Sequence, residues 1–188
     1  MNMLIGLTGP PGCGKDTAAA HLVKDHGFVR VAFADPIRQV ALAIDPYVHF
    51  FRLSEIVDLY GWDKAKRQPE VRRLLQTIGT EAGRDIHGTD VWVDKTFDAI
   101  KQLGPDQPVV ITDVRFDNEA RRLRTFGGRL VRVRRKTDNE DAVMAHQSET
   151  ESATLHSDHY LPNDGSVTEL HRRLDRLVDR LAKQRRPA

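Results

Sequence analysis

Nine consecutive residues, Gly9-Pro10-Pro11-Gly12-Cys13-Gly14-Lys15-Asp16-Thr17, have the types and spacing to hold a nucleoside triphosphate. Glycines let successive backbone N–H groups turn inward around phosphate oxygens. A helix starting directly afterwards aims the positive end of its dipole at the same charge. Lys15 adds a full charge on a flexible stem, suited to the β and γ phosphates. The apolar run Leu4-Ile5-Gly6-Leu7-Thr8 before the loop reads as a strand, and Ala18-Ala19-Ala20 after it as a helix. That context separates a phosphate loop from an ordinary Gly/Pro turn. After the lysine the strict pattern has Ser or Thr on Mg²⁺; here the residue is Asp16, and Thr17 follows. Carboxylate oxygen is a good hard ligand, so Asp16 is expected to hold Mg²⁺ directly or through a water, with the Thr17 hydroxyl on an inner phosphate. The expected ATP ligands are thus Gly9, Pro11, Gly12, Cys13, Gly14, Lys15, Asp16 and Thr17. Cys13 is either a small side chain filling a tight loop or a reactive thiol shielded by ATP.

Phosphoryl transfer also needs cations, because its transition state spreads negative charge over several oxygens. Arg38 falls one helical turn beyond the second predicted strand, Arg115 just past the third, and Arg134 with Arg135 past the fourth. Any one of them alone reads equally as a solvated surface cation; the set points to catalysis. Asp113 ends an apolar strand, where a carboxylate orients Mg²⁺ water or the acceptor phosphate, or merely makes a turn. Gln76, Thr80 and Arg84 share a helix face by four-residue spacing and offer an amide, a hydroxyl and a guanidinium for a base and a phosphate, or form a solvated face. Phe33 and Trp92 add stacking surface that suits a base. His146, Glu149, His156 and His159 are poorly spaced for zinc and read as part of a polar lid. Arg172, Arg173, Arg176 and Arg180, running on to Lys183, Arg185 and Arg186, are broken by Asp175 and Asp179, so they read as a charged outer helix face rather than a nucleic-acid contact.

These residues need a scaffold, and 188 residues suit one α/β domain with a small mobile insertion. A net charge of +2 is mild; it implies no nucleic-acid partner and suits an anionic substrate. The single cysteine excludes an intrachain disulfide, and with no signal peptide or long apolar run the chain is expected in a reducing cytoplasm. Further strands are expected at residues 28–33, 109–111, 129–133 and 160–161, and helices at 37–44, from Pro69 through Ile78, at 91–100 and at 118–125. Asp35-Pro36 reads as an N-cap followed by proline at the first helical position, and Gly127-Gly128 as a stop. Residues 45–68 are irregular in pattern, and a last amphipathic helix carries Leu170, Leu174, Leu177, Val178 and Leu181. The alternation argues for a parallel five-stranded sheet with helices on both faces and ligands at the carboxyl ends of its strands. Residues 1–44, 105–135 and 158–188 are assigned to the core, about 45–104 to a substrate-binding helical insertion and about 136–157 to a lid.

Taken together the motifs resemble the phage-type deoxynucleoside monophosphate kinase family, a branch of the P-loop kinases. The resemblance rests on Gly14-Lys15-Asp16-Thr17, Phe33-Ala34-Asp35-Pro36 with Arg38, Leu75-Gln76-Thr77-Ile78-Gly79-Thr80-Glu81, Asp113-Val114-Arg115-Phe116-Asp117-Asn118-Glu119, His146 with Ser148-Glu149, and Asn163-Asp164-Gly165-Ser166. It implies a P-loop NTPase fold and Mg²⁺-assisted transfer of phosphate from ATP to a deoxynucleoside 5′-monophosphate, and it makes Lys-Asp-Thr the usual form of the loop. It implies Arg38, Arg84 and Arg115 on the acceptor phosphate, Arg134 or Arg135 closing over the transferring group, Phe33, Asp35, Gln76, Thr80, Trp92 and Asp113 around the substrate, and Asn163, Gly165 and Ser166 beside the adenine. Members that dimerise make a homodimer reasonable; stable nucleic-acid binding is not expected. Animal phosphomevalonate kinases and dephospho-coenzyme A kinases are similar in loop or layout, so a different phosphorylated acceptor stays open. So does an ATP-dependent switch or nucleic-acid-associated ATPase, although no Asn-Lys-x-Asp guanine motif is present.

Overall fold

In the computed structural model, which describes residues 3–136, 152 and 154–184, the first strand is buried along its whole length. This strand, β1 (Leu4–Thr8), is flanked on both sides, so its residues are apolar in sequence rather than alternating. With β2 (Val29–Val31), β5 (Val109–Ile111), β6 (Arg129–Arg134) and β7 (His159–Pro162) it forms a sheet of order β2-β5-β1-β6-β7. All four pairings are parallel, with Leu4 opposite Val109, Ile5 opposite Arg129, Val29 opposite Val109 and Val131 opposite His159.

Parallel strands need crossovers, and helices supply them on both faces. Ile5 and Leu7 point into a core shared with Ala18, Ala19 and Leu22 of α1 (Lys15–His26) and with Leu170, Leu174, Leu177, Val178 and Leu181 of the last helix, Val167–Gln184. The expected apolar stripe of that helix is the buried one. Gly6 points the other way, toward Asp117–Thr125; a Cβ there would lie 2.5 Å from Leu123 Cδ2, so a side chain at residue 6 would push that helix off the sheet.

Two compact units emerge: Met1–Ala32 with Ile100–Ala188, the sheet unit, and Phe33–Ala99, the helical unit. The helical unit begins with α2 (Ala34–Ile44) and an antiparallel hairpin of β3 (Tyr47–Val48) and β4 (Phe51–Arg52). It continues through α3 (Leu53–Ala65), α4 (Pro69–Gln76), a π-helical segment (Thr77–Arg84), α5 (Asp85–His87) and most of α6 (Val91–Gln102). Further helices of the sheet unit with described bounds, numbered here in chain order, are α7 (Asp117–Thr125) and α8 (Val167–Gln184). Ala41, Val48, Leu53, Ile56, Ala65, Val71 and Ile78 make the helical unit's own core. The helix Ala34–Ile44, expected with the sheet core, groups instead with these residues.

Several expected boundaries shift. Residues 45–68 are ordered as the hairpin and α3, because Asp45, in the left-handed conformation at φ 44°, ends α2 and accepts hydrogen bonds from the N–H and hydroxyl of Ser54 at 2.8 and 3.0 Å. One aspartate thus joins two helices through contacts that carry no periodic signal. Asp35 is not the N-cap: Phe33 occupies that position, and Pro36 is accommodated in the first turn, where backbone N–H groups lack intrahelical acceptors anyway. The lid expected at 136–157 falls mostly outside the described residues. Among those that are described, no helix is long and apolar enough to cross a membrane.

Candidate active site

The loop after β1 takes its shape from backbone sterics. Gly9, Gly12 and Gly14 have φ of 138°, 78° and 106°, values that L side chains resist. A Cβ on Gly9 would lie 2.2 Å from the Val133 carbonyl oxygen of β6, and one on Gly14 would lie 2.3 Å from Asn163 Nδ2. The loop is therefore pressed between the ends of β6 and β7 at the N-terminus of α1, with Gly14 as the residue that caps this helix. Asn163, just past β7, is buried; its backbone N–H donates to the Arg134 carbonyl at 2.7 Å and its amide donates to the Cys13 carbonyl at 2.8 Å. Cys13 is fully buried and packs with Ile5, Leu7 and Val133, which is the loop-filling role rather than that of an accessible thiol.

Lys15 folds back over the loop. Its ammonium donates to the carbonyls of Gly9 at 2.7 Å and Pro10 at 2.8 Å, and lies 3.7 Å from Cys13 Sγ. Burial pushes its pKa below the ordinary lysine value; Cys13 opposes that shift, Arg115 adds to it and Asp16 opposes it again. A cation already stripped of much of its water interacts more strongly with a phosphate than a solvated one does.

Other groups converge on the carboxyl ends of the strands. Asp16 and Thr17 are exposed in the first turn of α1. Asp113 is half-buried beyond β5, and Arg115 is exposed two residues later. The turn that carries Arg115 is held by Glu119, a buried carboxylate that accepts from the N–H groups of Arg115 at 2.7 Å and Phe116 at 3.0 Å. Glu119 was not singled out from the sequence, although its place in the third position of α7 is the spacing of a helix-start carboxylate. Arg134 and Arg135 are exposed at the end of β6. In the loop after β7, Asp164 accepts from the Lys136 N–H at 2.5 Å, and the Ser166 hydroxyl accepts from the Glu169 N–H at 3.2 Å at the start of α8. Gly165 is exposed between them. Asp16, Thr17 and Asp113 offer oxygen donors, the ligand type that Mg²⁺ takes.

Within the helical unit, Arg38 donates to Asp35 at 3.2 Å and its guanidinium stands 5.5 Å from the centre of the Trp62 ring. Trp62, in the stretch with no readable pattern, is a positioning group that sequence alone did not reveal. Phe33 is buried and meets Phe97 at 6.3 Å between ring centres. Gln76, Thr80 and Arg84 are each half-buried, but from Thr77 onward the backbone is wound as a π-helix, so the α-helical spacing that grouped them does not describe their arrangement. Trp92 spends its indole N–H on the Gly79 carbonyl at 2.7 Å and lays its ring on Gly83, where a Cβ would meet Trp92 Cζ2 at 2.5 Å. His146 and Glu149 lie outside the described residues, as do Arg185 and Arg186.

Residues 43–174 match the protein family described as deoxynucleotide monophosphate kinase. A putative deoxynucleotide monophosphate kinase of Acanthamoeba polyphaga mimivirus is 31% identical, across 94% of this chain and 96% of the relative. A deoxynucleoside-5′-monophosphate kinase of Escherichia phage T5 is 33% identical, across 89% of this chain and 86% of the relative. Among solved structures, a dephospho-CoA kinase from Campylobacter jejuni aligns at a TM-score of 0.49 with 10% identity, across 96% of this chain and 97% of that one.

Proposed function

The chain belongs to the deoxynucleotide monophosphate kinase family, and from that premise we propose that it transfers the γ-phosphoryl group of ATP to a deoxynucleoside 5′-monophosphate, giving the diphosphate and ADP. The observation that carries the proposal is Lys15: a partly desolvated ammonium held 2.7 and 2.8 Å from two loop carbonyls, at a helix N-terminus whose glycines leave no room for side chains. On binding ATP the ammonium exchanges these carbonyls for β and γ oxygens, and the loop N–H groups receive the rest of the polyphosphate.

An acceptor phosphate oxygen attacks the γ phosphorus in line, and the bond from that phosphorus to the β–γ bridging oxygen breaks, leaving ADP. No protein base is required, because the acceptor phosphate is already an anion near neutral pH; positioning and charge neutralisation carry the rate. Asp16 and Asp113 would hold Mg²⁺, directly or through water, and the metal when bound neutralises charge on the phosphate oxygens. Arg115 in the sheet unit and Arg38 and Arg84 in the helical unit are assigned to the acceptor phosphate, with Asp35 and Trp62 orienting Arg38. Phe33, Gln76, Thr80 and Trp92 are assigned to the surroundings of the acceptor. Arg134 is assigned to the transferring group. Asn163 braces the adenine-side loop, with Gly165 and Ser166 beside the base. We place the enzyme in the cytoplasm, the host's for a phage-encoded chain.

The test is ADP release from purified protein with ATP and Mg²⁺, supplying each deoxynucleoside and ribonucleoside monophosphate, phosphomevalonate and dephospho-coenzyme A separately. Turnover with one or more deoxynucleotides is the expected result and ranks the bases at once. ATP binding without turnover on any nucleotide would overturn the assignment.

A further inference from the structure

At the end of α1 remote from the phosphate loop, the sheet unit gathers a second set of ligating atoms. His21 and His26 on α1 each place Nε2 2.7 Å from the same oxygen, Oδ1 of Asp175 on α8. His21 is 8% exposed, His26 22% and Asp175 45%, so the cluster is walled on the helix side and open to solvent on the other. Behind it, His21 Nδ1 lies 2.8 Å from Oδ2 of Asp25, and the His171 ring stacks on His21 at 4.0 Å between centres and 9° between planes.

His21 and His26 both aim Nε2 at one carboxylate oxygen, while the buried Nδ1 of His21, 2.8 Å from Asp25 Oδ2, makes no hydrogen bond. One cation between the three atoms would take a lone pair from each of them. Two imidazoles and a carboxylate suit zinc and its neighbours rather than Mg²⁺, which prefers oxygen ligands alone.

We propose that His21 Nε2, His26 Nε2 and the Asp175 carboxylate bind one divalent transition-metal ion of the zinc type, tying α1 to α8. The three ligand atoms lie within 4.8 Å of one another. With bonds of about 2.0–2.2 Å, two ligand atoms on a tetrahedral ion stand about 3.3 Å apart, so side-chain movements of about 0.6 Å to at most about 1.5 Å admit the ion. Three protein ligands leave the fourth position, on the exposed side, to water.

Untagged, chelator-treated protein titrated with Co²⁺ reports the site directly, because tetrahedral cobalt absorbs in the visible and no substrate is needed. The expected result is a band that saturates at one Co²⁺ per chain, is displaced by Zn²⁺, and requires at least tenfold more metal in His26→Gln and in Asp175→Asn. Both variants change half-exposed residues, so folding is checked by circular dichroism, and ATP-dependent turnover should persist in His26→Gln. No band in the wild-type protein, or equal titrations in wild type and both variants, overturns the proposal. Neither result bears on the kinase assignment, which is read by ADP release.

Discussion

In the sheet unit, three glycines with positive φ and a strand buried on both faces set the course of the phosphate loop before any side chain contributes. In the helical unit the order is reversed: Asp45 on Ser54, Trp92 on Gly79 and Arg38 against Trp62 are side chains that set the backbone. In our proposal the first unit takes the triphosphate of ATP, and sterics make its loop rigid. Tyr47, Phe50, Phe51, Leu59 and Tyr60 of the second are exposed, and its core is small. Side-chain contacts of that kind can be exchanged one at a time, so if the proposed acceptor residues Arg38, Gln76, Thr80 and Arg84 hold the substrate, its specificity can change there without altering the glycine loop.

Four substitutions test this contrast. Replacing Lys15 with Met removes the positive charge of the loop and leaves the backbone alone; we expect kcat/KM to fall by about 10²–10³, as for loss of one preorganised charge at a developing anion, with an unchanged melting temperature. Loss of less than tenfold would remove Lys15 from the mechanism. Gly14→Ala attacks the backbone instead, since its Cβ meets Asn163 Nδ2 at 2.3 Å and its φ is 106°. ATP affinity should drop by about 10-fold or more, with a loss of about 1–3 kcal/mol of stability in the sheet unit. Gly83→Ala is the matching change in the helical unit, where the new methyl overlaps the Trp92 ring. It should cost a similar 1–3 kcal/mol, roughly, from overpacking, yet leave ATP affinity within about twofold. ATP binding weakened as much as by Gly14→Ala would break the contrast.

The smallest effect is electrostatic. Hydrogen bonding from Arg172 holds the Glu169 carboxyl below its ordinary value of 4.5, burial opposes this and Arg173 assists it, while Arg173 also donates to the Pro162 carbonyl at the end of β7. A depressed carboxyl contributes stability that is full above its unfolded pKa and is lost as pH falls through the folded one. Glu169→Gln should therefore melt slightly below wild type at pH 7, and the gap should close on acidification below about 4.5. A gap independent of pH would mean that Glu169 acts by packing alone.

The same contrast decides what could be read in advance. β1, the glycine loop and α1 were legible because each rule points to the same place: apolar run, glycines, lysine, helix former. β5 and the stripe of α8 were legible from burial patterns that the structure reproduces at Val109–Ile111 and at Leu170, Leu174, Leu177, Val178 and Leu181. Residues 45–68 were not, because a hairpin of two-residue strands and the αL residues Asp45 and His49 leave no period to count. Nor was the π-helical turn at Thr77–Arg84, where the spacing rule assumed the α-helix it replaces. Of the site, the loop and strand-end residues followed from motif and position, whereas Trp62 and the cross-loop bond of Asn163 depend on contacts between segments far apart in sequence; the role of Glu119 is local, on N–H groups three and four residues before it.

Placing β1 at the centre of a parallel sheet also settles when that sheet can close. The partners of β1, Val109 opposite Leu4 and Arg129 opposite Ile5, come more than a hundred residues after it. The whole of Phe33–Ala99, with its own core, is made in between. A nascent chain thus passes through a stage in which the helical unit has all its residues while the apolar strand β1 has neither of its sheet neighbours. Such a strand is a target for chaperones and for misassociation. Its exposure ends only with the arrival of β5 and β6, so the glycine loop that follows β1 is made before those strands and takes its shape only after them.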